Sequence, residues 1–283
     1  MVGSDAHFAR KGKCMRKSIY AILIAFFLMT AGFSTVKIYS HYQEASEQAD
    51  LYAGLAQIVE QAEEPTEPRA TSGEEEEALP TAPPEEAEPE ILAEYAALYE
   101  QNSDLVGWIS IEDTRINYPV VQSPDNPNFY LNHGFDKGKT DYGCPYVSEI
   151  CDVSKPSDNL IIYGHHKKNG TMFSDLKKYR KQSFWEDHKT FRFDSLYEKQ
   201  TYEVIAVFKT VVYTKSANEF RFYRFADAKT PEEFDEYITK CKELALYDTG
   251  VSAVYGDELL TLSTCEYSSK NGRLVLVAKK VED

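Results

Sequence analysis

The sequence predicts a mainly β protein, a closed barrel with helical additions, held to a membrane by one N-terminal helix. Three observations lead there. Short apolar or alternating runs recur from Val106 to Val277, separated by turn residues, which is the pattern of a barrel built from many strands. Few segments after residue 90 show helical periodicity. One stretch of 18 residues without a charge, Ile19–Val36, stands near the N-terminus.

The elements follow in chain order. Residues 1–18 carry Arg10, Lys11, Lys13, Arg16 and Lys17 against Asp5, a net of +4. The apolar run behind them is long enough to cross a bilayer as a helix. Basic flanks stay in the cytoplasm, so the N-terminus is expected inside and the bulk of the chain outside, in the cell membrane as a single-pass protein. A cleavable signal peptide is the rival reading, but no clear small-x-small site follows the run. Residues 37–59 can continue as a helix, with Tyr52, Leu55, Ile58 and Val59 roughly periodic.

Residues 60–90 carry twelve carboxylates, one Arg and six prolines, a net of -11. Such a composition cannot bury enough apolar surface to fold, so the stalk over 37–90 is expected to be disordered from about residue 60. The folded domain is expected over 91–283, where 24 basic and 30 acidic residues leave a mild net of -6. A mildly acidic domain without a basic stripe argues against nucleic acid as a partner.

Within that domain, Ile91, Leu92, Tyr95, Leu98 and Tyr99 fit one helical face. Strands are predicted over 106–111 and 115–121 around a Glu112-Asp113-Thr114 turn. Asn159 to His165 reads as a buried strand that delivers a histidine, and Met172 to Tyr179 as a short helix. Further strands are expected at Thr190–Phe193, Tyr202–Val212 and Phe220–Phe222. Thr230-Pro231-Glu232-Glu233 is a helix start, with a capping Thr, Pro at the first helical position and Glu completing the box. Phe234, Tyr237, Ile238, Cys241 and Leu244 then form its apolar face, so Cys241 is a core residue.

The last two strands carry the chemistry. Leu260 to Cys265 alternates, Glu266 to Gly272 has turn composition, and Arg273 to Val277 is a second apolar run. If they form a hairpin, Cys265 faces Arg273, and paired positions lie roughly 5 Å apart at Cβ. The guanidinium never loses its charge, and a nearby cation favours the nucleophilic thiolate. An acid is still needed for a leaving amine. Of His41, His133, His165, His166 and His188, His165 is best placed, at the end of a buried strand; His166 should face the other way, and His133 is the runner-up. From the hairpin alone, an inert core cysteine with Arg273 in a surface ion pair remains the better reading.

The other cysteines are Cys14, Cys144, Cys151 and Cys241. Cys144 and Cys151 leave open a local disulfide or two free buried thiols. No CxxC or HxxxH spacing exists, so no zinc site is indicated.

The run Thr261-Leu262-Ser263-Thr264-Cys265, with Arg273 downstream and Tyr163-Gly164-His165 upstream, resembles the sortases, membrane-anchored cysteine transpeptidases of Gram-positive cell surfaces. The likeness is to class B, through Val106 to Ile109, Tyr118 to Gln122, Tyr130 to His133, Gly170 to Phe173, the helix at 230–247 and Leu246 to Gly250. It covers roughly residues 91–281.

The resemblance implies a sortase-type barrel with a long helix before the last strands. It implies Cys265 as nucleophile, His165 as acid/base and Arg273 as oxyanion or substrate-backbone partner. It also implies substrate contacts at Leu131, Asn132, Ser263, Thr264 and Glu266. The implied reaction cleaves a sorting motif of a secreted protein after Thr, through a thioester, and transfers the acyl group to a peptidoglycan-precursor or pilin amine. No metal or organic cofactor is implied. Class B members usually have Asn after the catalytic His, where this chain has His166. An exported cysteine endopeptidase with water as acceptor and a catalytically silent surface binding module are the alternatives.

Overall fold

The structure, a computed structural model, describes residues 5–63, 89–213 and 219–281. Its first element is α1 (Asp5–Glu63). The part from Ile22 to Glu63 contains an apolar window of mean hydropathy 1.7, none of it buried, which is long and apolar enough to cross a membrane. Two compact units divide this helix, one ending at Asp50 and one running from Leu51 to the C-terminus.

The second unit holds α2 (Ala93–Gln101) and then eight strands: β1 (Leu105–Ser110), β2 (Asn117–Val121), β3 (Tyr146–Val147), β4 (Asn159–Tyr163), β5 (Thr190–Ser195), β6 (Thr201–Val211), β7 (Leu259–Cys265) and β8 (Gly272–Val281). They close into a barrel in the order β1-β2-β3-β4-β7-β8-β6-β5. Closure leaves no free sheet edge for another chain to pair with. Between the strands lie a 3-10 segment at Phe173–Arg180, then α3 (Gln182–Asp187) and α4 (Pro231–Leu244).

Side-chain alternation sorts the strands between two cores. Leu274, Leu276 and Ala278 of β8 join the larger core, while Val275 and Val277 join a second one under α4. With both faces covered, this strand reads as a continuous apolar run rather than a strict alternation. The same holds for β6, where a register shift between Val204 and Ala206 lets Val204 face one core and Ile205, Ala206 and Phe208 the other.

The start of α4 follows the sequence pattern. Thr230 Oγ1 accepts from the Glu233 N–H at 3.3 Å, and Pro231 takes the first helical position. Glu233 reaches back to the Lys229 N–H at 2.8 Å, one residue earlier than a standard capping box. Phe234, Tyr237, Ile238 and Cys241 are its buried face.

Three expectations are corrected, and one reading left open is decided. The packed unit begins at Leu51 rather than Ile91, because Tyr52, Leu55 and Val59 bury one helical face in the main core. Residues 60–63 continue α1, where Glu63 pairs with Lys199 at 2.9 Å and Arg192 at 3.3 Å; the rest of the expected stalk, 64–88, lies outside the described residues. Phe220–Phe222 forms no strand. Its Phe222 opens a 3-10 turn at Phe222–Arg224 and packs in the second core, since every barrel strand already has two neighbours. Cys144 and Cys151 are both free and buried: the Cys144 thiol meets the Pro119 carbonyl at 3.6 Å, and the Cys151 thiol the Asn159 carbonyl at 3.3 Å.

Candidate active site

Two strand pairings assemble the site. The antiparallel pair β7–β8 sets Cys265 opposite Arg273. The parallel pair β4–β7 sets Tyr163 beside Ser263, and two bonds carry the ladder onward: Gly164 N–H to the Ser263 carbonyl at 3.1 Å, and Thr264 Oγ1 to the Gly164 carbonyl at 2.7 Å. His165, two residues past the end of β4, and Cys265, the last residue of β7, continue that register. Their separation of one hundred positions is therefore a strand register.

Gly164 is required by contact. A Cβ there would come within 2.4 Å of the Phe173 ring, and the Phe173 N–H donates to the His165 carbonyl at 2.9 Å. The aromatic ring thus fixes the backbone from which the imidazole projects. His165 Nε2 lies 2.7 Å from the Leu131 carbonyl oxygen. A carbonyl only accepts, so Nε2 carries a proton and Nδ1 is the nitrogen free to exchange one. Burial pushes the imidazole below its ordinary range, opposed by the Leu131 carbonyl; Lys167 adds to the depression and Asp141 opposes it.

Arg273 donates from Nη1 to the Gly272 carbonyl at 2.9 Å, and among the described residues it has no carboxylate within ion-pair reach. The surface ion pair that would make this hairpin merely structural is absent among them, and the guanidinium faces a cleft.

That cleft has a volume of about 310 Å³ and is lined by His165, Cys265 and Arg273 together. Of the other expected site residues, Leu131, Ser263 and Thr264 also line it. Ser263 is buried, and among the described residues its hydroxyl has no hydrogen-bond partner. Thr264 is committed to the Gly164 carbonyl, as described above.

Asn132 and Glu266 do not line the cleft. Asn132 is exposed. Glu266 turns to Ser268, to Lys209 at 3.0 Å and to Arg180 at 3.9 Å. The Ser268 hydroxyl first, then Lys209 and the Ser268 N–H, hold its carboxyl down at about 2. His133, the alternative acid, stacks on Phe129 at 3.9 Å and meets the Phe129 carbonyl at 2.7 Å, also outside the cleft.

Several lining residues escaped the sequence reading: Asn128, Tyr146, Ser148, Glu149, Ile150, Val212 and Tyr223. Tyr146 bonds Asn128 at 3.0 Å and lies 5.5 Å from the Tyr163 ring. Burial pushes the Tyr163 phenol up to about 12, so it acts as a neutral wall. No spacing signal marks these residues as site residues, because they come from a two-residue strand, from loops, from just past the end of β6 and from the 3-10 turn at Phe222–Arg224. Cys144 lines the cleft too, with its thiol pushed up by burial, while Cys265 is partly exposed.

His166 supports the site from the side. Its Nδ1 lies 3.0 Å from the Cys265 carbonyl oxygen, and its own carbonyl accepts from the Tyr267 hydroxyl at 2.7 Å. Deeper in β7, Thr261 Oγ1 donates to Asn159 at 2.8 Å, and the Asn159 amide donates to the Phe225 carbonyl at 2.7 Å. The first threonine of the motif is thus part of a buried network beneath the nucleophile's strand.

Comparison with known proteins gives concordant results. A family model described as a sortase domain matches residues 109–281. Sortase B of Staphylococcus aureus (strain NCTC 8325 / PS 47) is 33% identical over 194 residues, 68% of this chain and 76% of that protein. Sortase B of Listeria monocytogenes serovar 1/2a (strain ATCC BAA-679 / EGD-e) is 35% identical over 196 residues, again 68% and 76%. The crystal structure of sortase B from B. anthracis in complex with AAEK1 superposes with a TM-score of 0.68 at 30% identity, covering 86% of this chain and 100% of that one. A Staphylococcus aureus sortase B–substrate complex gives 0.68 at 27% identity, covering 85% and 99%. With its barrel, its cleft and these relatives in agreement, the chain belongs to the sortase family of cysteine transpeptidases and stands nearest to class B.

Proposed function

We propose that this chain is a membrane-anchored class B-like transpeptidase acting on secreted proteins that carry a short sorting motif. The observation that carries the reading is the convergence of Cys265, His165 and Arg273 in one cleft through two strand registers. The Cys265 thiolate attacks the carbonyl carbon of the motif's Thr. Arg273 meets the oxyanion that develops. The C–N bond breaks, protonated His165 gives its proton to the departing amine, and a thioester remains on Cys265. An amine of a cell-wall precursor or of a pilin then attacks the thioester. It gives up a proton to His165 as the amide forms and the thiolate leaves.

The apolar segment 19–36 supports a single membrane crossing, and the basic residues before it support an inside N-terminus, which puts the cleft on the outer surface. The test is mass spectrometry of the protein incubated with sorting peptides, with and without an added amine. The expected result is a Cys265-linked thioester, converted to a new amide only when amine is present. Cys265→Ala should abolish both. Free acid as the sole product at every amine concentration would instead make the chain an endopeptidase.

A further inference from the structure

We propose that Tyr52, on α1, is a positioning residue for His165. It braces both supports of the socket in which the imidazole sits. The proposal rests on the transpeptidase reading above for the role of His165.

The first support is Gly143. Tyr52 is buried, and its hydroxyl donates to the Gly143 carbonyl at 2.6 Å. Gly143 has φ +65, a conformation that glycine adopts at no cost. A Cβ at this position would lie 2.5 Å from the Tyr130 carbonyl oxygen, 3.0 Å from that of Leu131 and 3.1 Å from the His165 ring. The Gly143 backbone is therefore packed against the imidazole and against the carbonyl that receives its Nε2 proton. The Tyr52 hydroxyl sets where this backbone stands.

The second support runs through Tyr118. The Tyr52 ring meets the Tyr118 ring edge-on, with centroids 5.2 Å apart at 85°. The Tyr118 hydroxyl accepts the Met172 N–H at 3.0 Å, and Met172 is held at φ +56, a conformation that costs free energy in a non-glycine residue. The next N–H, that of Phe173, holds the His165 carbonyl. One side chain thus contacts both Gly143, which packs against the ring of the histidine, and Tyr118, which leads to its backbone.

This role separates from simple docking of α1. Val59 packs on the same core but lines another cleft, with Trp108, Ile111 and Asp194. The charged and titratable groups about His165 are Cys265, Arg273, Cys144, Tyr146, Tyr163, Tyr223, Glu149, Lys167 and Asp141. All of them are retained in the variants below; Tyr52→Phe removes only the Tyr52 hydroxyl, which also meets the buried Cys144 thiol.

The experiment compares the full-length chain with Tyr52→Phe and Val59→Ala. It reads kcat and KM on a sorting peptide, thermal stability, and the pH dependence of Cys265 alkylation by iodoacetamide, located by peptide mass. Misplacing a catalytic group by about 1 Å can cost roughly a hundredfold, and a smaller displacement correspondingly less. Tyr52→Phe should therefore lose about tenfold in kcat at unchanged KM, and its alkylation profile should shift. Val59→Ala should lower the melting temperature while keeping the wild-type kcat and profile. A wild-type alkylation profile in Tyr52→Phe overturns the proposal, and so does a Val59→Ala variant that reproduces the Tyr52→Phe losses. Failure of the wild-type chain to form any thioester would sink the transpeptidase reading instead, and the alkylation comparison would still decide the role of Tyr52.

Discussion

At the scale of single residues, the two neighbouring histidines do different work. His165 projects into the cleft with one nitrogen free, whereas His166 spends Nδ1 on the nucleophile's own carbonyl. Removing a positioned general acid costs about a hundredfold or more, so His165→Ala should be nearly inactive in a peptide-cleavage assay. His166→Asn should keep most activity, because an amide N–H can donate to the same carbonyl. The reverse ranking would show that the histidine is misassigned by one position. Arg273 gives a sharper test. Lysine preserves charge but not the planar fork. If Arg273 receives the substrate oxygen, Arg273→Lys should be almost as slow as Arg273→Ala; if it only biases the thiol toward thiolate, lysine should largely rescue the rate.

At the scale of elements, the β7–β8 hairpin carries a pH-sensitive clasp beside the nucleophile. Glu266 titrates at about 2 in the folded chain against an ordinary 4.5. A carboxyl whose pKa is lowered by folding stabilises the folded state above its unfolded pKa, and that contribution fades as pH falls through the folded value. The contribution should therefore be complete above about pH 4.5, decline below it and vanish near pH 2. Melting temperatures of the wild type and Glu266→Gln should differ at neutral pH and converge toward pH 2. A constant difference across that range would contradict the clasp.

The same hairpin shows which elements the sequence makes legible. The strands β4, β7 and β8 and the helix α4 could be read because alternation and capping are local signals. The two residues of β3 and the short α3 could not, because tertiary contacts alone define them. Phe220–Phe222 alternates like a strand, yet the closed barrel offers it no edge. Glu266 was expected at the substrate; the ion cluster that draws it away comes from Arg180 and Lys209, distant in sequence.

At the scale of the whole molecule, the composition break at residue 60 conceals where folding begins. Tyr52, Leu55 and Val59 carry helical spacing, but nothing local says that their partners are Tyr118 and the barrel. A chain starting at Ile91 would expose that apolar seam and lose Tyr52. It should be less stable than one starting before Leu51, by several degrees in melting temperature, and slower on soluble peptides. Equal stability and turnover of the two truncations would restore Ile91 as the boundary.

The register that joins β4 to β7 has one more consequence. The spacing of acid and nucleophile is set by a ladder of backbone hydrogen bonds and owes nothing to the length of chain between them. Gly256 lies in that intervening chain, in the exposed turn before β7, with open space where a side chain would go. Two polypeptides severed there would put the imidazole on one fragment and the thiol on the other. Pairing of their strands would bring the reacting pair together again, so this catalyst is divisible in sequence while remaining single in space.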